Sequence, residues 1–217
     1  EEMAGKNSDS CLKILEIGGG YGGMAHSVAS CVNDTNSKYF IIDLPEVLLF
    51  SASYLSMHGG KDRVYLYDAD NIDGVAAQDF SGYSFILLPN YRIDLLEKYD
   101  FSLAINISSL QEMKKSQVVE YLNFLADRCS GVMLSFNRDN NMDSNPEGCD
   151  LHKLFNERFN TEEVDISKWG VPRLSSKQKL LAGTKQIIKR LTDYKNSELA
   201  KGAEYKLRLC RSRKLSG

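Results

Sequence analysis

Histidine is sparse in this chain of 217 residues, and its cysteines follow no pattern. His26, His58 and His152 stand far apart, so no histidine-rich metal motif is present. Cys11, Cys31, Cys129, Cys149 and Cys210 form no C-x-x-C pair. An odd, scattered set argues against a disulfide framework and fits reduced thiols in a cytoplasmic protein. No apolar run approaches the roughly twenty residues of a membrane-spanning helix. Glu1 to Ser10 is polar, lacks the apolar centre of a secretory leader and reads as a flexible lead-in. The chain does not start with methionine, and its first apolar strand follows almost at once, which reads as a piece of a longer polypeptide.

The 42% apolar and 26% charged composition excludes a disordered chain, and the length suits one α/β domain over residues 1–217 better than two. The net charge of −2 hides an asymmetry: Lys177 to Gly217 holds twelve Lys/Arg against Asp193, Glu198 and Glu204. Such a cluster can attract a polyanion, but Glu204 to Arg211 alternates apolar and polar residues as a half-buried strand does. Basic side chains on a sheet edge guard against aggregation, and no stacked aromatics or glycine-arginine repeats accompany them. A nucleic-acid partner is therefore the weaker explanation.

What is present is a glycine turn between strand-like runs. Leu15-Glu16-Ile17-Gly18-Gly19-Gly20-Tyr21-Gly22-Gly23 joins an apolar strand to a helix, and Asp43 follows at the end of the next strand, Tyr39 to Asp43. Glycine lets backbone N–H groups approach a ligand and tolerates positive φ, while an acid at the second strand end suits two ribose hydroxyls. Gly18, Gly20 and Gly23 satisfy the dinucleotide pattern G-x-G-x-x-G. Glu16 argues against NAD, since a carboxylate at the first strand end, facing the pocket, repels a pyrophosphate and suits an ammonium and a sulfonium. The ligand that fits is S-adenosylmethionine, with Glu16, Gly18, Gly20 and Gly22 as its acidic-x-G-x-G-x-G turn and Tyr21 inside it.

Strands are expected at Leu12–Ile17, Tyr39–Asp43, Arg63–Tyr67, Ser84–Leu88, Phe101–Ile107 and Val132–Phe136. Helices are expected from Gly22 to Cys31, from Pro45 to Met57, from Leu110 to Arg128 and from Leu151 to Phe159. Glu163–Trp169, Gln186–Leu191 and Tyr205–Cys210 read as late strands, including an antiparallel pair that closes the sheet. The alternation implies parallel βαβ units with the ligand at the carboxyl ends of the strands.

The glycine turn, Ile41-Ile42-Asp43-Leu44-Pro45-Glu46-Val47 and Asn106-Ile107-Ser108-Ser109-Leu110-Gln111-Glu112-Met113 occur in order. Together, over about Leu12 to Arg138, they resemble the motifs of the sugar O-methyltransferase family, within the class I S-adenosylmethionine-dependent methyltransferases. The resemblance implies a Rossmann-like, mostly parallel seven-stranded sheet with helices on both faces. It implies that Glu16, Gly18, Gly20 and Gly22 line the methionine and ribose side, that Asp43 takes the ribose hydroxyls and that Leu44 packs on adenine. The adenine edge depends on which segment is the third strand. Arg63–Tyr67 would give Asp68 or Asp70; Ser84–Leu88, which the family pattern favours, would give Asn90.

Asn106, Ile107, Ser108, Gln111 and Glu112 fall beside the transferable methyl, and Asn137 and Arg138 belong to an acceptor loop after the next strand. Glu112, or a group it orients, would remove the proton of a sugar or glycan hydroxyl, with Asn106 beside it. The competing role for Glu112 is a capping box with Ser109. Asp139, Asn141, Asp143 and Asp150 have calcium-loop spacing, but Ser144 stands where that loop needs glycine and the final Glu is absent. A divalent metal is thus compatible with that loop without being indicated. A nicotinamide-dependent oxidoreductase and a non-catalytic methyltransferase-like module are the alternatives.

Overall fold

The structure, a computed structural model, describes residues 11–32, 36–71, 80, 82–139, 147–164 and 205–214. The elements, in chain order, are β1 (Lys13–Ile17), α1 (Gly23–Val32), β2 (Lys38–Asp43), α2 (Pro45–Gly59), β3 (Val64–Leu66) and β4 (Phe85–Pro89). They continue with β5 (Phe101–Ile107), α3 (Lys115–Arg128), β6 (Cys129–Arg138), α4 (Leu151–Arg158), β7 (Phe159–Glu163) and β8 (Tyr205–Ser212). The described strands form one sheet in the order β3-β4-β2-β1-β5-β6-β8-β7. β3 to β6 pair in parallel, β8 runs antiparallel to β6, and β7 runs antiparallel to β8.

The central strands read as nearly continuous apolar runs because both of their faces are covered. Ile14, Tyr39, Ile41, Leu87 and Ile105 pack with Ala25 and Val28 of α1 and Leu48 and Leu55 of α2. Leu15, Ile17, Phe40, Leu88 and Ala104 face the other way, toward Val118, Leu122 and Leu125 of α3 and Leu154 and Phe155 of α4. α2 starts as its sequence dictates: Leu44 is extended at φ −62° and ψ 142°, and Pro45 takes the first turn, where its missing N–H is no loss.

Three expectations need correction. The sheet has eight described strands, not seven, because Val64–Leu66 adds a three-residue edge strand beyond β4. Phe85–Pro89 is therefore the neighbour of β2, as the family pattern indicated. Leu110 does not begin a long helix: Leu110–Glu112 makes one 3-10 turn, Met113 returns to extended backbone, and α3 starts at Lys115 with the Gln117 Oε1 accepting from Lys114 N–H at 3.3 Å. Last, the strand after α4 is Phe159–Glu163 instead of Glu163–Trp169, because Phe159 turns into the core beside Phe155 as the helix ends. Residues 165–169 and Gln186–Leu191 lie outside the described residues.

No disulfide links any of the five cysteines, and Cys129, Cys149 and Cys210 are buried. Among the basic residues of the C-terminal region that are described, Arg208 is buried between Asp139 and Glu163, and Lys214 pairs with Asp127. These cations have acidic neighbours in the fold.

The β5–β6 ladder shifts register between Phe101 and Leu103, next to Gly131. A Cβ at Gly131 would lie 1.8 Å from the Ser102 carbonyl oxygen, which is backbone and unable to rotate away. Gly131→Ala is expected to destabilise the fold by about 1–3 kcal/mol, the usual range for overpacking. Urea unfolding measures it, and wild-type stability would show that the ladder absorbs the methyl.

Candidate functional site

The chain order reverses between β1 and β5: from β1 the sheet grows through β2 on one side and through β5 and β6 on the other. Open α/β sheets bind ligands at such switch points, outside the strands' carboxyl ends. The glycine turn sits there. Gly18, Gly20 and Gly22 adopt φ of 74°, 57° and 87°, in the left-handed region that glycine occupies without strain. A Cβ on Gly18 would lie 2.2 Å from the Ser109 Oγ, whereas one on Gly20 would meet nothing within 4 Å and would project into open space. The first glycine allows β5 to close against the turn; the second leaves room for a ligand against the backbone.

Asp43 stands at the end of β2. Its Oδ2 accepts from Gly20 N–H at 2.9 Å and its Oδ1 from Leu44 N–H at 2.8 Å. Burial raises its pKa, opposed by hydrogen bonds from backbone N–H groups of the turn. Register places Pro89 opposite Asp43, so Asn90 emerges beside it.

A cavity of ≈ 400 Å³ runs from this corner across the switch point. Gly18, Gly20, Asp43, Leu44 and Asn90 line it together with Ser108 and Glu112. Sequence reasoning missed Ile42, Val47, Ser109, Met113, Gln117 and Tyr121, which complete the wall. Tyr121 was legible only as part of an apolar helical stripe; a hydroxyl within that stripe was the available signal. Burial pushes its phenol up to about 12.

Several expected site residues stand behind this wall. Asn106 is fully buried, donates to the Ile17 carbonyl at 2.8 Å and accepts from Asn137 Nδ2 at 2.7 Å. Asn137, also fully buried, donates in turn to Ser135 Oγ at 2.9 Å. Asn106 and Asn137 thus brace β1, β5 and β6 at their ligand ends. Ile107, on β5, is not on the wall either. Gly22 packs against Leu55 of α2, and Tyr21 lies exposed on the outside, edge-on to Tyr54. Glu16 does not face the cavity. It is 2% exposed, beneath the turn, where its Oε2 accepts from Tyr39 OH at 2.9 Å. Removal from water pushes its carboxyl up to about 8, with the Tyr39 hydrogen bond opposing and the nearby Asp43 adding to the rise.

Glu112 is exposed and pairs with Arg138 Nη2 at 3.3 Å. Gln111 links the two, accepting from Arg138 N–H at 2.8 Å and donating to Glu112 Oε1 at 3.0 Å and to Tyr205 OH at 3.2 Å. The capping box with Ser109 does not form, since the Ser109 Oγ donates to the Ile17 carbonyl at 3.0 Å and makes no cap bond.

The acidic loop after β6 serves structure in its described part. Asp150 caps α4, accepting from Lys153 N–H at 3.0 Å. Asn140 to Ser144 lie outside the described residues. Asp139, His152 and Glu163 come within 4.8 Å of one another, but Arg208 contacts both carboxylates and Lys206 lies 3.8 Å from Glu163. Two cations already oppose the two acids there.

No protein-family model and no curated protein sequence matches the chain. Solved structures do. An O-methyltransferase family protein from Burkholderia thailandensis superposes with a TM-score of 0.53 at 10% identity, over 94% of this chain and 51% of its own. The N-methyltransferase NodS from Bradyrhizobium japonicum WM9, solved with S-adenosyl-L-homocysteine, gives 0.53 at 10% identity, over 93% of this chain and 78% of its own. The CurJ carbon methyltransferase gives 0.52 at 11% identity, over 95% and 50%. The chain spans about half the length of the first and third. Its fold is the Rossmann-like class I methyltransferase fold.

Ser108 closes the cavity at the end of β5 with φ 58°, the one positive-φ residue other than glycine among those described. Its N–H donates to the Phe136 carbonyl at 2.8 Å, while its buried hydroxyl has no partner among the described residues. Left-handed backbone costs a residue with a Cβ about 1–2 kcal/mol. Ser108→Gly is therefore expected to raise stability by about 1 kcal/mol in urea unfolding. A loss of stability would show that the Cβ or hydroxyl holds the wall together.

Proposed function

We propose that the protein is an S-adenosylmethionine-dependent O-methyltransferase acting on a hydroxyl of a sugar or glycan. The observation that carries this is one cavity lined both by the glycine turn and Asp43 and by Ser108 and Glu112. The open space beside Gly20, where a side chain would intrude, suits a nucleoside lying against backbone. Asp43 would hold the ribose hydroxyls, Leu44 would pack on the adenine face, and Asn90 would meet its edge. The bound cofactor supplies an electrophilic methyl group; the protein's own task is to orient the acceptor and take its proton.

A sugar hydroxyl is a very weak acid, so a positioned base matters. Glu112 is the acid on the cavity wall at the end where the acceptor would enter. With the capping box unformed, Glu112 is not held in a helix start, and Arg138 and Gln111 fix its direction instead. Much of the acceleration would come from alignment of the acceptor oxygen with the methyl carbon. The fold neighbours include N- and C-methyltransferases, so oxygen as the acceptor atom rests on Glu112 and the polar rim.

Labelled S-adenosylmethionine and a panel of sugars and glycans test this. Glu112→Gln keeps the side chain's shape and can still hydrogen-bond, but it cannot accept a proton. Transfer is expected to fall by about a hundredfold or more while S-adenosylhomocysteine affinity stays close to wild type. Normal turnover in the variant would move the base elsewhere.

A further inference from the structure

The large apolar side chains that stand exposed among the described residues gather on one flank of the molecule, around α2. Leu49, Phe50 and Met57 of that helix are 59%, 68% and 81% exposed. Tyr21 joins them through its edge-on contact with Tyr54, while Leu66 and Tyr91 surround a cavity of ≈ 330 Å³ that Leu49 also lines. Exposed apolar residues scattered singly need no explanation, but a contiguous patch marks a surface that something else covers.

A helix on the outside of a domain normally turns polar residues away from its buried stripe. α2 does not. Leu48, Ser51 and Leu55 are buried toward the sheet, and the outer line reads Glu46, Phe50, Ser53 and Met57, at steps of four, three and four residues. Those steps are the spacing of a helix–helix seam. Ser53 adds no unmet polar group to the line, because its Oγ donates to the Leu49 carbonyl at 2.8 Å. His58, beside Met57 at the end of the helix, turns Nδ1 to the Tyr54 carbonyl at 2.8 Å, which leaves Nε2 for an acidic neighbour. β3, the edge strand of this flank, has only three residues and offers little backbone for a neighbour's strand to pair with.

The outer line complements its own reversal. A second α2 laid antiparallel, about a two-fold axis midway between Phe50 and Ser53, sets each Phe50 over the small Ser53 of the other copy and each Glu46 beside Met57 and His58 of the other copy. Large meets small, acid meets base, and the two helix dipoles run in opposite directions. A partner of different sequence would require no such symmetry of the line.

We propose that this flank joins two copies of the chain into a two-fold symmetric dimer, with α2 of each packed antiparallel on α2 of the other. Phe50 and Ser53 form its centre, and the Glu46 and His58 pairs close its two ends.

Sedimentation equilibrium of the purified chain reads the assembly directly. The wild type is expected at twice the mass of one chain, and Phe50→Glu, which puts a charge at the axis, at the mass of one. Phe50 is exposed within a single copy, so the variant should keep the wild-type far-ultraviolet circular dichroism. Glu46→Lys and His58→Glu each set like charges against one another and should weaken the dimer by about tenfold or more, whereas the double variant should restore it. A wild type that sediments at the mass of one chain up to its solubility limit overturns the proposal and leaves the flank to a different protein. A dimer that survives Phe50→Glu, or that reversal of both charges does not restore, has its interface elsewhere and overturns it as well.

Discussion

The structure depends on how closely β1 and β5 approach where the chain order reverses. The Ile17 carbonyl, the last of β1, accepts from both Asn106 Nδ2 and Ser109 Oγ. That pair of hydrogen bonds holds the start of the turn against the end of β5, and Gly18 is required there because any side chain would overlap Ser109. Once the two strand ends are fixed, the turn must arch over β2, where Asp43 takes the Gly20 N–H. The cavity is what remains between the arch and the residues after β5. A polar seam from Ile17 through Asn106, Asn137 and Ser135 then extends the same constraint to β6.

Charge is arranged in two ways around this frame. At the C-terminal edge Arg208 is buried but meets Asp139 and Glu163, and its guanidinium lies over the Phe155 ring. Removing one partner there would leave a buried charge uncompensated. At the turn the acids Glu16 and Asp43 face hydroxyl and backbone N–H donors and, among the described residues, no cation.

The parallel core was legible because apolar runs such as Phe101–Ile107 are buried on both faces, and few other structures place such short runs between helices. The turn and Asp43 were legible because their chemistry is local to the backbone. The start of α3 was not: the apolar stripe of Met113, Val118 and Tyr121 has helical spacing, yet Ser109 bonds across to β1 and the chain must reopen at Met113 before the helix can begin. β3 and β4 competed for one position because spacing along the chain cannot reveal an edge strand inserted outside its successor. The direction of Glu16 was misjudged for a related reason. Strand alternation sets it on the Ile14 face with Tyr39, and only pairing with β2 shows that this face is closed by α1 and α2. Asn106, Asn137 and Gln111 could be listed as polar residues near a site, but separating wall from bracing required the strand register.

The central claim is that this turn binds a nucleoside whose tail carries an ammonium, not a dinucleotide. A single calorimetric comparison of S-adenosylhomocysteine with NADH tests it most directly. Saturable binding of S-adenosylhomocysteine with no detectable NADH binding is the predicted result. NADH binding in the absence of S-adenosylhomocysteine binding would contradict it.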